Sequence, residues 1–509
     1  MRKKLLAAAM VACLALGTFA GCGNASDGNA GGSAADDNAG GTQENGGGAP
    51  SLSEETEELK MIMISVIGST EEADLVEAEI NAIIEPQIHA TVDIEWIDLG
   101  EYFNTITPRL VSGEEIDILP TFGTFLPSLI GQEALMDITE YLAAYGTGIT
   151  EAVGADYMKA GQINGAQYSL PSVVAFGQED ALIYRTDIAE ELNIDFSSVK
   201  TLEDLAPIFE QIHAAKPEIT ILCANSENES MLREWAWDGL GDEYGVLINP
   251  TESTEVVDLY ETEEYKHYCE LMHEWYEAGY IMTDAATTSD NLTTIFETGK
   301  YFGTVAKNYP GNVESKFATS VYSFSAIPLS DPLSTTSRVT DNVLTIPASS
   351  QHPEKAMAFM NLLYTDADLQ NLMVYGIEGK HYRMVDGRTD FLEGENVMTA
   401  KYVNKYMVGD YTISYEAVTD PVGIHKTIKE YNDASPKSAA LGFSYDSTDV
   451  ANELAAIATV CNKYRRGLEA GSLDPATELP KFIEELKAAG IDTVVAAKQE
   501  QLNAWLEQQ

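Results

Sequence analysis

The chain has 509 residues, and 81 aspartates and glutamates outweigh 30 lysines and arginines to give a formal net charge of −51. This acidity argues against binding to nucleic acids or anionic lipid headgroups, because both need clustered basic side chains. The length and a hydrophobic content of 45% predict a globular protein with more than one lobe.

The first residues have the features of an export signal. Three basic residues, 2–4, precede twelve uninterrupted apolar residues, 5–16. A helix of that length spans about 18 Å, whereas the hydrocarbon core of a bilayer is about 30 Å thick. The segment therefore predicts secretion rather than a membrane span. No later stretch reaches about 18 consecutive apolar residues, so we expect that the mature chain does not cross a membrane.

Two small residues stand directly before Cys22, in a pattern that resembles the lipobox of bacterial lipoproteins, although Phe19 replaces the usual leucine. The resemblance implies that residues 1–21 are a signal peptide and that the Cys22 thiol carries a diacylglycerol anchor. Residues 22–58 are nearly all small or polar and predict a disordered tether, because they cannot bury enough apolar surface to offset the entropy of ordering. The alternative is an ordinary secretion signal with an incidental cysteine.

The folded part opens with alternating strand and helix signals. The apolar run 59–67 predicts a buried strand, and the next helix has Thr70 as its N-cap and ends at Pro86. Alternation over 91–97 predicts a second strand, and another helix leads to a short buried strand at 116–119. This order predicts crossover connections and a parallel sheet.

Further helices are predicted along the rest of the chain. Thr201 is a plausible N-cap, and the segment YKHYCELMHEWYEAGY predicts an amphipathic helix. A helix that stops at Gly299 precedes another strand. The tail predicts three helices, with Ser447 and Gly490 as boundary residues.

Cysteine and enzyme motifs point away from metal binding and catalysis. Cys223, Cys269 and Cys461 are far apart and show no zinc-ligand spacing, which predicts buried, unreactive thiols. The segment HEWYE lacks the second histidine of HExxH, GFSYD lacks the last glycine of GxSxG, and GIEGKH lacks the spacing of a phosphate loop. We therefore expect a binding protein that is not an enzyme, has no cofactor or metal, and does not hydrolyse ATP.

The order of several segments resembles that of extracellular solute-binding proteins of ABC importers, above all the carbohydrate-binding group. The segments that carry this resemblance are NGAQYSLP, ETGKYFGTVAKNYPG and IPASSQHPEKAMAFMNLLYTDADLQNLMVYG. The C-terminal run LGFSYDSTDVANELAAIATVCNKY is similar to a tail of unknown function in one Gram-positive subgroup. The resemblance covers essentially the whole mature chain.

This resemblance implies an α/β, periplasmic-binding-protein-like fold, in which two α/β lobes with hinge crossings and a helical C-terminal segment close over one ligand. Lobe one would comprise 59–168 plus 330–385, and lobe two 169–329 plus 386–509. The protein would be a lipid-anchored monomer at the extracellular face of the cell membrane. It would deliver its solute to the permease of an ABC transporter.

Candidate ligand-binding residues follow from two rules. Ligands of open α/β sheets bind beyond the carboxyl ends of the strands, and sugars present apolar ring faces and hydroxyl groups that aromatic, carboxylate, amide and basic side chains bind. The residues selected are Glu71, Phe122, Gln178, Trp235, Trp237, Lys307 and Tyr309. Core packing is the alternative role for the aromatic ones, and two tryptophans two residues apart cannot face the same way on a helix.

The residues alone leave the ligand class open. The length of the folded part and its supply of aromatic residues favour an oligosaccharide. The same fold could bind a peptide, a polyamine or another small molecule. A surface adhesin, which would more often have β-repeats, and a glycan-acting enzyme are the remaining alternatives.

Overall fold

A computed structural model of the chain describes residues 51–65, 72–224, 237–392 and 404–509. The predicted lipidation site Cys22 and two predicted ligand-binding residues, Glu71 and Trp235, lie outside the described residues. None of the helices in the described ranges is both long enough and apolar enough to cross a membrane.

The described residues contain fourteen strands. In chain order they are β1 (Glu57–Ser65), β2 (Ala90–Asp98), β3 (Leu119–Thr121), β4 (Gln162–Ile163), β5 (Ala166–Gln167), β6 (Leu170–Pro171), β7 (Gly177–Arg185), β8 (Thr220–Leu222), β9 (Tyr301–Asn308), β10 (Phe324–Pro328), β11 (Leu333–Ser334), β12 (Val343–Thr345), β13 (Tyr382–Val385) and β14 (Arg388–Phe391).

Nineteen α-helices accompany the strands in the described ranges. They are α1 (Ala73–Ile88), α2 (Leu99–Val111), α3 (Leu126–Gly131), α4 (Thr139–Tyr145), α5 (Thr147–Val153), α6 (Ala155–Met158), α7 (Thr186–Glu191), α8 (Ala206–Ala215), α9 (Glu263–Glu277), α10 (Leu292–Glu297), α11 (Asn312–Lys316), α12 (Thr336–Val339), α13 (Pro353–Thr365), α14 (Ala367–Tyr375), α15 (Asn404–Met407), α16 (Ile424–Ala434), α17 (Ala451–Glu469), α18 (Pro475–Ala489) and α19 (Ile491–Leu506). Short 3₁₀ helices lie at Gly123–Phe125, Lys159–Gly161, Glu203–Leu205, Leu259–Glu261, Tyr411–Ile413 and Thr448–Val450.

The parallel pairing predicted for the first strands is confirmed. β1 and β2 pair in parallel along their full lengths. Ile118, just before β3, forms a parallel bridge with Met61 of β1. β3 itself then pairs antiparallel with β12, whose other neighbour is β6. The third strand therefore begins as predicted but joins a separate three-stranded sheet.

The predicted end of α1 at Pro86 is wrong. The helix continues to Ile88 and ends at His89, which has a left-handed backbone (φ 50°). Proline removes one backbone donor from the last turn. A stripe of buried side chains along α1 packs in the core and holds that turn in place. Its members at four-residue spacing are Val76, Ile80, Ile84 and Ile88.

A mixed sheet lies at the centre of the second part of the molecule. Its strand order is β10-β7-β9-β8, and β11 pairs with the first residues of β7. β7 is antiparallel to β9 and β10, and β8 is parallel to β9. This sheet connects the two halves of the fold, because β7 extends from one half into the other.

Two large hydrophobic cores divide the structure. The first contains buried side chains from 59–176 and 339–441, and the second contains buried side chains from 182–329 and 440–502. The lobe limits inferred from the resemblance stay predictions. In the described structure, however, buried apolar side chains between 408 and 428, including those of α16, pack in the first core rather than with the C-terminal helices.

Three chain segments lie side by side where the cores meet. Ser334 of β11 pairs with Gly177 of β7 and forms a parallel bridge with Lys437. Its amide donates to the carbonyl of Pro436 at 2.9 Å. A side chain at Gly177 would place its Cβ 2.3 Å from Oγ of Ser435, so this close packing requires glycine. These segments are the hinge-type crossings of the fold.

The three predicted C-terminal helices are confirmed as α17, α18 and α19. Gly490 separates the last two helices with a left-handed backbone (φ 98°), a conformation that favours glycine. Buried side chains of all three helices belong to the second core, so they form part of that half.

Candidate ligand-binding cleft

A cleft lies between the two halves of the molecule. Its larger cavity, of about 560 Å³, is lined by a lobe-one segment, by α12 and the residues after it, and by two loops of the second half. The lining residues are Phe122, Gly123, Thr124, Pro127, Ser128, Leu240, Gly241, Asp242, Thr336, Ser337, Thr340, Asp341 and 443–448. A second cavity of about 220 Å³ shares Gly241, Asp242, Ser337 and Asp341 with the first, so the two form one cleft.

Four predicted site residues line this cleft. Phe122 lies in the larger cavity, and Gln178, Trp237 and Lys307 lie in the smaller one. Tyr309 lines an adjoining cavity of about 80 Å³. The structure therefore brings five predicted residues to one region, and their contact with a ligand stays a prediction.

Aromatic rings form a platform on the lobe-one side of the cleft. Phe103 of α2 stacks on Phe125 with ring centroids 4.6 Å apart, and the cleft residue Phe122 lies 5.7 Å from Phe103. Phe103 and Phe125 are each 39% exposed, which is unusual for side chains of this size. Both rings contact the ring of the cleft residue Phe122. We call these three residues the aromatic platform.

Arg338 of α12 connects the cleft with the cavity beside Tyr309. Its Nε donates to the carbonyl of Ala175 at 3.0 Å, and its Nη1 donates to the carboxylate of Asp341. When the Gln178 amide is oriented with its oxygen toward Arg338, that oxygen accepts from Nε and Nη1 at 3.2 Å. Burial works against the charge of Arg338, but Asp341 and Tyr309 outweigh it, so the pKa of Arg338 is raised and the group remains cationic.

Lys307 and Asp180 form a cross-strand ion pair at the inner end of the smaller cavity. The two residues are opposite each other on β9 and β7, and Nζ lies 2.8 Å from Oδ1. Asp180 is fully buried, whereas Lys307 retains 22% exposure. The Lys307 ammonium also lies 5.8 Å from the ring centroid of Trp237, within cation–π range. Lys307 and Trp237 therefore present a cation and an indole ring to the same cavity.

Glu179 links both halves beside the hinge. Its Oε1 accepts from Nδ2 of Asn308 at 3.0 Å, and its Oε2 accepts from the hydroxyl of Tyr431 at 3.1 Å. Burial raises the pKa of Glu179, and the two hydrogen bonds counteract that effect. Tyr431 belongs to α16 and Asn308 to β9, so Glu179 joins elements of both halves.

Three carboxylates supply hydrogen-bond acceptors to the cleft. Asp242, Glu243 and Asp341 have side chains that are 23%, 25% and 45% exposed, so water or a ligand can reach them. Together with the aromatic rings, these groups can contact both the apolar faces and the hydroxyl groups of a polyhydroxylated ligand.

Sequence reasoning missed several cleft residues. Thr124 could have been found, because it belongs to the TFGTF segment that supplied Phe122. Asp242 and Arg338 stand in no motif and reach the cleft only through the folding of distant segments. Tyr445 lines the cleft although it is nearly buried; so does Phe443, for which the sequence favoured core packing and cleft lining equally.

Family comparisons identify two regions of the chain. Residues 85–377 match the family described as "Bacterial extracellular solute-binding protein", and residues 439–507 match a "Domain of unknown function (DUF3502)". The first match alone covers more than half of the chain. The second covers the three C-terminal helices and the cleft-lining segment before them.

Individual relatives agree with these matches. A "Carbohydrate ABC transporter substrate-binding protein" of Streptococcus pneumoniae serotype 4 (strain ATCC BAA-334 / TIGR4) is 28% identical over 444 residues, which cover 84% of this chain and 87% of that protein. The crystal structure of the N-glycan transport solute binding protein (NgtS) from Streptococcus pneumoniae is 24% identical, with a TM-score of 0.79, and covers 89% of this chain and 99% of that one. Its complex with Man1GlcNAc has the same identity, a TM-score of 0.68, and coverage of 89% and 100%. The fold expected from the sequence is thereby confirmed, and the chain belongs to the bacterial extracellular solute-binding proteins.

Proposed function

We propose that this protein captures an oligosaccharide between its two halves and delivers it to the permease of an ABC transporter. The observation that carries the proposal is the cleft itself. It combines the aromatic platform on one side with carboxylates on the other and lies beside three hinge-type crossings. Closure of the halves would enclose a ligand between them.

The chemistry of the cleft suits a sugar. A pyranose ring has an apolar face of C–H groups, which a flat aromatic ring such as Phe122 or Trp237 can cover. Its hydroxyl groups are good donors to carboxylates, and charge-assisted bonds of this kind are stronger than neutral ones. The volume of about 560 Å³ is adequate for a molecule of several rings.

The relatives support the same ligand class. One is described as a carbohydrate ABC transporter substrate-binding protein, and another as an N-glycan transport solute binding protein with a Man1GlcNAc complex. The TM-score is higher for the first NgtS structure, 0.79, than for the glycan complex, 0.68.

Delivery to a permease requires the protein to stay near the membrane. We propose that the Cys22 thiol carries the lipid anchor, that residues 22–58 tether the folded part, and that the anchored protein is a monomer. Cys22→Ala should release a chain that still binds its ligand into the medium, whereas the wild-type chain stays with the membrane fraction. Membrane retention of the Cys22→Ala chain would contradict lipid anchoring at this residue.

Calorimetry with a panel of oligosaccharides, peptides and polyamines tests the ligand class. We expect saturable binding of at least one oligosaccharide, with recovery of the unchanged sugar after prolonged incubation. Binding of a peptide or an amine, with no response to any sugar, would contradict the proposed ligand. Products released from a bound sugar would instead indicate a glycan-acting enzyme.

A further inference from the structure

We infer that the C-terminal helices, which match a domain of unknown function, position the ligand-contacting loops of the second half. Lys498 and Arg465 are the positioning residues, and Gln501 assists them. This inference rests on the proposed oligosaccharide-binding function. The C-terminal domain would then contribute to ligand affinity in addition to completing the second core.

The first loop to be positioned is 238–247. It lines the cleft with Leu240, Gly241 and Asp242. Its backbone pairing lies at its ends, where Asp238 forms an antiparallel bridge with Leu247 and Val246 forms one with Val257. Leu240 and Gly241 both have positive φ angles, 53° and 102°. A loop with so little backbone pairing needs contacts from neighbouring elements to keep one conformation.

Lys498 of α19 supplies three of those contacts. Its side chain is fully buried, and Nζ lies 2.6 Å from Oδ1 of Asp242. Nζ also donates to the carbonyls of Gly239 and Gly245 at 3.2 and 3.0 Å. An ammonium group has three donors, and all three are directed at this one loop. Lys498 therefore fixes the loop at both ends and at the cleft residue between them.

A second cation holds the neighbouring acidic residue. Nη1 of Arg465, on α17, lies 2.5 Å from Oε2 of Glu243. Nε of Arg465 lies 3.3 Å from Oε1 of Glu469, one turn further along α17. Consecutive acidic residues of the loop, Asp242 and Glu243, are thus each paired with a different C-terminal helix. Both carboxylates also line the smaller cavity of the cleft.

The second loop, 443–448, is held by the same face of α19. Gln501 accepts from the amide of Asp446 at 2.9 Å and donates to the carbonyl of Asp446 at 2.8 Å. Trp505 packs edge-on against the ring of Phe443, with centroids 6.0 Å apart. Lys498, Gln501 and Trp505 are three and four residues apart, so they project from one side of the helix.

The contacts of Lys498 and Gln501 fall on the cleft-lining loops. Their location indicates that these residues position the loops and do more than stabilise the fold in general. Every partner named for Lys498 and Gln501 belongs to a loop that lines the cleft. Fixing the loops before the ligand arrives lowers the conformational entropy that binding must overcome, so affinity should depend on these contacts.

The test compares Lys498→Met with Lys463→Met. Methionine retains the apolar stem and removes the ammonium group. Lys463 is a matched control, because it pairs with Glu485 at 2.7 Å on the exposed side of the same domain. Two measurements are made well below the melting temperature: the Kd for Man1GlcNAc, and amide hydrogen exchange of peptides that cover 238–247 and 443–448.

We expect Lys498→Met to weaken Man1GlcNAc binding by about tenfold, the loss that corresponds to newly ordering one or two side chains on binding. Exchange should accelerate in 238–247 but not in β7, and Lys463→Met should change neither measurement. Unchanged exchange in 238–247, or acceleration that is uniform over the chain, would overturn the inference. Unchanged affinity despite faster loop exchange would also overturn it.

Gln501→Ala provides a milder variant in case Lys498→Met does not fold. It removes two hydrogen bonds and leaves no buried charge unpaired, and it should accelerate exchange in 443–448 alone. Wild-type protein that binds neither Man1GlcNAc nor any other sugar would contradict the proposed function. The exchange measurements need no ligand, so they decide separately whether the C-terminal helices hold the loops.

Discussion

The guanidinium group of Arg338 lies over the ring of Tyr309, with Cζ 4.6 Å from the ring centroid. Tyr309 follows β9 of the second half, whereas Arg338 belongs to α12, next to the hinge-type crossings. Arg338 also donates to the carbonyl of Ala175, just before β7. One side chain thus contacts segments from both halves and lines the cleft, so its loss should affect binding as well as stability.

Arg338→Met should lower both ligand affinity and stability. The variant leaves Asp341 without its cation and the carbonyl of Ala175 without a donor, at a cost of about 1–3 kcal/mol. Denaturant unfolding and calorimetry check the two effects. Arg383→Met is the control, because Arg383 forms an exposed pair with Asp390, and neither residue lines the two cavities of the cleft; it should change neither quantity appreciably. Equal effects of both variants would contradict a special role for Arg338.

Oligosaccharide binding at the aromatic platform should require a flat ring at residue 122, and an apolar side chain without a ring should not suffice. We expect Phe122→Leu to weaken oligosaccharide binding by about tenfold, because leucine offers no flat face to a sugar ring. Phe122→Tyr retains the ring and should bind nearly as well as the wild type. Val422→Ala, at a residue that is 83% exposed, serves as the surface control. Leucine and tyrosine variants of equal affinity would argue against stacking at this position.

Asp258 should make stability depend on pH. Its Oδ1 accepts from the amide of Tyr260 at 3.0 Å, and burial, followed by the charges of Glu261 and Asp492, raises the pKa of Asp258 to about 7. The folded chain therefore retains a proton that the unfolded chain has lost. Stability should fall by about 4 kcal/mol as pH rises from about 4 to about 7, and then level off.

Asp258→Asn tests this dependence, because asparagine retains the acceptor for Tyr260 but cannot ionise. Free energies of unfolding measured between pH 4 and 8 should decline less for this variant than for the wild type. Asp93→Asn, at an exposed residue of β2 that does not contribute to the raised pKa of Asp258, is the matched control. A wild-type decline that is unchanged in Asp258→Asn would show that another group is responsible.

The three cysteines of the folded part should be inert in the native protein. Cys223, Cys269 and Cys461 are free and buried, as the sequence predicted. Burial raises the pKa of all three thiols, that of Cys461 to about 12. Because the thiolate is the reactive form, a thiol reagent should label none of them in a secreted Cys22→Ala chain and all three after unfolding. Rapid labelling of the native chain would contradict this prediction.

Sequence patterns predicted much of the architecture, because they depend on local chemistry. The apolar strands, the amphipathic α9 and the three C-terminal helices all follow from the spacing of side chains along the chain. The failure at Pro86 shows the limit of such rules. A proline signal is local, whereas the buried stripe that keeps the last turn of α1 helical depends on the tertiary core.

Several residues of the candidate site were predictable because they lie at or just after the ends of strands. Phe122, Lys307 and Tyr309 stand at or beside the carboxyl ends of β3 and β9, and the sequence selected them for that reason. Arg338 and Asp242 had no such signal, because α12 is one turn long and 238–247 is a loop with unusual backbone angles.

The sequence by itself determined the family, the order of the elements and the acidic, aromatic-rich composition, since all of these depend on residues that are neighbours along the chain. Only the tertiary structure decided which residues share the cleft. It brings Phe122 and Asp242, 120 positions apart in number, to one cavity. It also places the ammonium group of Lys498, which is distant in sequence, within hydrogen-bond distance of Asp242. Contacts between distant segments depend on how the halves pack, and a local sequence pattern therefore cannot predict them.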